Sequence, residues 1–178
     1  MTAYDKLYDE AVDNYGIVTA ATAGNHSVSN MALVMLARRG RLVRLGHGVY
    51  RLARYVPTEH DDYALAVALV GDGAYLHGES VLALLELTST NPTRLYVAMD
   101  GRTRKTLPDD IVLEPSPRGY EPVRFFGIPC QRVDDAIRSA ASTVPRDRLV
   151  EATKEAYRKG FLPRKESVAL ERELKGER

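Results

Sequence analysis

Acidic residues are missing from a long stretch of this chain. No Asp or Glu occurs between Asp13 and Glu59, while six arginines do. Within it, residues 27–52 read SVSNMALVMLARRGRLVRLGHGVYRL, with five arginines and no acid. Cysteine is nearly absent as well: the single Cys130 excludes an intrachain disulfide and a multi-cysteine zinc site, in keeping with a reducing cytoplasm. No apolar run approaches the roughly 18 residues of a membrane span. The opening MTAYDKLYDEAVDNYG carries Asp5, Asp9, Glu10 and Asp13 where a secretory signal would be basic and then apolar. Glycines are scattered without a phosphate-cradling loop, and the four histidines lack metal-ligand spacing. The expectation is a cytoplasmic protein with no membrane segment, no metal and no cofactor.

The charge that is present is unevenly placed. The 178 residues sum to +1, yet residues 1–56 hold seven Lys or Arg against four acids, a net +3, and residues 57–178 carry −2. A polyanion senses this local field, because charges are screened over about 8 Å at physiological salt. The N-terminal residues also carry helix signals. AYDKLYDEAVDNYG repeats apolar residues at three- and four-residue steps and stops at Gly16. Thr19 is placed to cap a short alanine-rich helix, Gly24-Asn25 supplies a turn, and Ser27 or Ser29 caps a third helix over about 30–39. Helix, short helix, turn, helix is the order of a helix-turn-helix, with the third element in the reading position. In that helix Ala32, Leu33, Leu36 and Ala37 form the inward stripe. Ser27, Asn30, Met31, Val34 and Arg38 fall on the other side. Met31 and Val34 fit the core as well as a thymine methyl. Asn30 and Arg38 fit base edges or phosphate.

LVRLGHGVYRL then reads as a hairpin around Gly46-His47-Gly48, the wing of a winged helix. A two-residue turn at Gly46-His47 sets Leu45 opposite Gly48 and Val43 opposite Tyr50. Arg44 and Arg51 then share an outward face. Arg38, Arg39, Arg41, Arg44 and Arg51 would thus line one surface whose contacts mostly position the duplex. His47, at the tip, is expected to meet a minor groove or phosphate, or simply to be solvated.

The stretch GIVTAATAGNHSVSNMALVMLARRGRLVRLGHGVYRL, followed by AYLHGESVLALLEL, resembles the AbiEi-type antitoxin family of type IV bacterial toxin-antitoxin systems. The resemblance implies a DNA-binding antitoxin that represses its own operon by binding promoter repeats and counteracts a nucleotidyltransferase-like toxin. It carries over Ser29, Asn30, Arg38, Arg39, Arg41, Arg44 and Arg51 as DNA-binding residues. Asn30 and Met31 stand where relatives often have a basic and a small residue. The alternative is an antitoxin that sequesters its toxin by direct protein contact, with DNA binding secondary.

The fold class expected is α+β: a winged helix-turn-helix domain over 1–56, then an α+β domain over 57–178 with a helical C-terminal tail. A helix is expected in DDYALAVALVGDG, a short extended piece over 74–77, a helix in GESVLALLELT, strands in RLYVAMD, DIVLEP and PVRFFGIPCQRV, and helices over about 134–142, 146–159 and 164–175. His77, Glu79, Asp100 and Cys130 are the residues that chemistry would use, but no spacing pairs a nucleophile with a base, so no enzyme is expected. The loop GRTRKT either adds phosphate contacts or is a solvated tip. The tail ESVALERELKGER is either a dimer helix or an exposed one. The partners expected are double-stranded DNA and a cognate toxin, with the chain monomeric or dimeric and two copies on DNA.

Overall fold

The structure, a computed structural model, describes residues 2–89 and 92–176. The chain divides into two compact units, residues 1–72 with 103–107, and residues 73–102 with 108–178.

The first unit runs α1 (Ala3–Asp13), β1 (Ile17–Thr19), α2 (Ala20–Asn25), α3 (Asn30–Arg38), β2 (Leu42–Gly46), β3 (Val49–Leu52) and α4 (Asp61–Val70). Side-chain oxygens cap the starts of its first three helices. The Thr2 and Asp5 side chains each accept from the other's backbone N–H, and the Thr2 backbone N–H, with the Thr2 side chain second, holds the Asp5 carboxyl below its usual range. Thr19 and Thr22 repeat that reciprocal arrangement at α2, and Ser29 Oγ accepts from Ala32 N–H at 3.2 Å to start α3. The α2–α3 turn falls at His26 to Ser29, slightly later than Gly24-Asn25, and Ser27 turns the chain with φ +57°. Leu7, Ala11, Val18, Ala23, Val28, Leu33, Leu42, Tyr50 and Leu52 make one core, and Ala32, Leu36 and Ala37 lean on it. The inward stripe of α3 is therefore the one its spacing predicts.

The sheet of this unit has three strands in the order β1-β3-β2, both pairs antiparallel. β1 is absent from the sequence reading. The hairpin register also departs from it: Leu42 lies opposite Leu52, Val43 opposite Arg51 and Arg44 opposite Tyr50, with an irregularity between Arg44 and Gly46. The extra residue near the turn shifts the pairing by one, which exchanges the faces of β2. Leu42 is buried and Val43 is 49% exposed.

Ile17 and Val49 are buried on the sheet face away from the helical core, and α4 lies against that face. A Cβ placed on Gly46 would meet Leu69 Cδ2 at 2.4 Å, so glycine there lets α4 close on the wing. The GRTRKT loop joins this unit through Lys105, whose Nζ donates to the Leu69 carbonyl near the end of α4 at 3.4 Å. An ammonium at a helix C-terminus is the favourable sign of charge for the helix dipole.

The second unit holds β4 (Tyr75–Leu76), α5 (Glu79–Leu84), β5 (Leu95–Met99), β6 (Ile111–Pro115), β7 (Val123–Phe125), β8 (Ile128–Cys130), α6 (Val133–Ser139), α7 (Arg146–Arg158) and α8 (Arg164–Lys175). Its sheet order is β6-β5-β4-β8-β7, with β5–β6 and β4–β8 parallel and the other pairs antiparallel. The run PVRFFGIPCQRV is two strands, not one. Phe126 and Gly127 both adopt positive φ, +52° and +79°, and form the tight turn between them. Gln131 ties the sheet to the helices: its Oε1 accepts from Gly78 N–H at 2.9 Å and its Nε2 donates to Ser139 Oγ at 3.0 Å. Pro145 and Pro163 precede α7 and α8, where the chain must leave extended geometry and no helical N–H is lost. The architecture is α+β, with a helix-turn-helix and hairpin at the N-terminus and a helical tail.

Candidate nucleic-acid interface

The outward side of α3 carries Asn30, Met31, Met35, Arg38 and Arg39, all exposed, with Met31 at 68%. Met31 is therefore a surface side chain here, while Val34 is half-buried. Met35 was not singled out by its spacing, and its exposure widens the apolar part of the face. Ser29 stands at the head of this side, and its capping role leaves the hydroxyl proton free to donate outward. Arg38 and Arg39 have no ion-pair partner among the described residues, so their charge faces solvent. The local sequence dictates this, since the nearest acids in the chain are Asp13 and Glu59.

Arg41 and Arg44 are exposed but oriented. The Arg41 guanidinium lies over the Tyr4 ring, 4.2 Å from its centroid, and Arg44 Nε donates to the Gly46 carbonyl at 3.3 Å. Both contacts fix a long side chain and leave guanidinium donors unused, which lowers the entropy lost when an anion is gripped. His47 is exposed at the hairpin tip.

Arg51 is different. The expectation that it shares an outward face with Arg44 fails, because the shifted register sets the two residues on opposite sides of the sheet, and α4 covers the side with Arg51. Its side chain is 16% exposed, and Nη2 lies 3.0 Å from Asp61 Oδ2, a carboxylate only 5% exposed. The approach is not aligned as a directed hydrogen bond, so the pair is held mainly by charge. Asp61 Oδ1 is fully used: it accepts from Thr58 N–H at 2.6 Å, Thr58 Oγ1 at 2.8 Å and Tyr55 OH at 3.3 Å. The Tyr55 ring lies under the Arg51 guanidinium and over Gly16. Arg51 thus locks the wing to α4. The signal for this in the sequence was Asp61 itself, an acid heading an apolar helix.

Residues 5–53 match the family described as transcriptional regulator, AbiEi antitoxin. The AbiEi match runs from α1 through β3 and so spans the helix-turn-helix and the wing. Among solved structures, the crystal structure of RV2827C protein from Mycobacterium tuberculosis is similar at 14% identity with a TM-score of 0.39, over 96% of this chain and 81% of that one. No curated protein matches.

Of the four residues weighed for catalysis, His77 and Glu79 line one recess, and Asp100 and Cys130 are not part of its lining. Burial pushes the Cys130 thiol up to about 12, and its Sγ donates to the Ile128 carbonyl at 3.3 Å, so it stays a protonated, enclosed thiol at neutral pH. His77 and Glu79 line a small recess with Tyr96, Glu114, Ser139, Ser142 and Thr143. Burial lowers the His77 pKa while the nearby Glu114 charge opposes that, and the ring is neutral at pH 7. Asp100 is exposed just beyond β5, away from that lining. Among the described residues no helix is long and apolar enough to cross a membrane, and no cluster of three metal-ligating side chains occurs.

Proposed function

We propose that the protein is a DNA-binding antitoxin that represses its own operon by binding promoter repeats and counteracts a nucleotidyltransferase-like toxin. The observation that carries the reading is the solvent-facing side of α3, where Asn30 and Met31 stand ahead of Arg38 and Arg39, two arginines with no ion-pair partner among the described residues. Asn30 is the side chain that reads a base, since its amide both donates and accepts and so matches adenine. Met31 and Met35 supply apolar contact to thymine methyls. Ser29, Arg38, Arg39, Arg41 and Arg44 grip phosphates and set the register. Arg51 is not among the contacts, because Asp61 already holds it. The winged helix of residues 1–56 does the reading in this scheme, and the toxin-directed role falls to the remainder.

Fluorescence anisotropy on the gene's own upstream duplex and on a scrambled duplex, at two salt concentrations, tests this. Tighter, salt-sensitive binding to the upstream duplex is expected. Equal binding to the two duplexes at both salts would remove the operator from the scheme and turn attention to direct toxin contact.

A further inference from the structure

Two helices expose strips of matched apolar and opposite charge character. On α1, Tyr8 (45% exposed) and Val12 (46%) are flanked by the exposed Asp5, Asp9 and Asp13. Positions 5, 8, 9, 12 and 13 lie on one side of a helix of 3.6 residues per turn. On α8, Val168 (42%) and Ala169 lie between Arg164, Lys165 and Arg172 and form with them a shallow open groove. Among the described residues, Asp9, Asp13, Arg164, Lys165 and Arg172 have no ion-pair partner. The acids of α8 lie off the groove: Glu173 pairs with Arg138, Glu171 with Lys175, and Glu166 lies about half a turn from Arg164.

We propose that the α1 strip of one copy of this chain docks in the α8 groove of another. Nucleic acid is a poor occupant of the α1 strip, which is acidic, while the α8 groove is basic at its edges and apolar at its centre. The occupant that α8 requires is an acidic helix with two aliphatic or aromatic side chains one turn apart, and α1 is such a helix. A contact of two helices about 16 and 18 Å long at 1.5 Å rise per residue is at the small end of specific interfaces, so the association is weak and reversible. Being led by charge, it also weakens with salt.

Sedimentation velocity of the full chain, in the absence of DNA, over a concentration series at low and high salt reads it out. The weight-average sedimentation coefficient should rise with concentration at low salt and much less at high salt. The pair Asp9→Lys and Asp13→Lys should abolish the rise, as should the pair Arg164→Glu and Lys165→Glu. Mixing the two doubly reversed chains should restore it, because each then offers the charge the other lacks. Circular dichroism of each reversed chain separates loss of contact from loss of fold, and the restoration on mixing does so independently. A coefficient that stays flat for the wild-type chain, or a rise that survives both reversals, overturns the proposal. So does failure of the mixture of folded variants to associate. If the α8 reversal leaves the rise intact and lowers DNA affinity instead, the groove belongs to DNA.

Discussion

Arg51 shows how a single residue changes meaning with one step of register. Its side chain looks like a DNA contact as long as Val43 is set opposite Tyr50, and it becomes an internal tie once Val43 is opposite Arg51. Removing one member of a buried ion pair costs about 3–5 kcal/mol, because the other charge is left without its partner. Asp61→Ala is accordingly expected to lower the urea unfolding free energy by about that much, and Arg51→Ala by a similar amount. Arg44→Ala, at an exposed site, should leave stability nearly unchanged and reduce the steepness of the salt dependence of DNA binding by about 0.9. A stable Arg51→Ala chain with a flattened salt slope would return Arg51 to the DNA. His77 is a second residue whose burial is measurable. Its folded pKa lies below the ordinary histidine value of about 6.5, so the unfolded chain binds its proton first as pH falls. The stability tied to neutral His77 is complete above about 6.5 and declines as pH drops toward the folded pKa. His77→Asn should flatten the stability profile just below pH 6.5, and a profile unchanged there would mean the ring is solvated.

At the scale of elements, legibility followed the chemistry of the ends. Thr19 and Ser29 cap the helices that their positions predict, and α8 spans Arg164–Lys175, as its charge-laced periodicity suggests. β1 went unread because three residues are too few to show an alternation, and it is a strand only because β3 pairs with it. The β7–β8 turn was hidden because Phe126 adopts positive φ, which a bulky residue does only when tertiary structure imposes it. The exposed face of α3 was legible in Asn30, Arg38 and Arg39 but not in Met35, since a methionine at helical spacing reads equally well as core. Ser29→Ala should destabilise the first unit by about 1 kcal/mol through loss of the Ala32 N–H partner. Asn30→Ala should leave stability alone and narrow the gap between operator and scrambled duplex by about 1–3 kcal/mol. If Asn30→Ala weakened both duplexes equally, Asn30 would be a phosphate contact and base reading would lie elsewhere on the helix.

For the whole molecule, the net charge of +1 and a sequence pI of about 7.9 give little hint of an affinity for DNA. What counts is the field within a screening length of the surface, and there Arg38, Arg39, Arg41 and Arg44 form no ion pair among the described residues, although Asp5 feels the charge of Arg41. Each phosphate neutralised contributes about 0.9 to the slope of log affinity against log salt. Four arginines give a slope of about −3.6 for one copy, so raising salt from about 50 to 200 mM should weaken operator binding roughly a hundredfold. A molecule governed by its net charge would show a slope near −1 and lose only a few-fold over the same range. Titrating the operator duplex at four salt concentrations distinguishes the two. Repeating the titration with Arg38→Ala and Arg39→Ala together should bring the slope to about −1.8, because two of the four contacts are gone. A wild-type slope near −1, or a slope that these two substitutions do not move, would mean that the arginine-bearing surface of α3 and the wing does not lie on the phosphates.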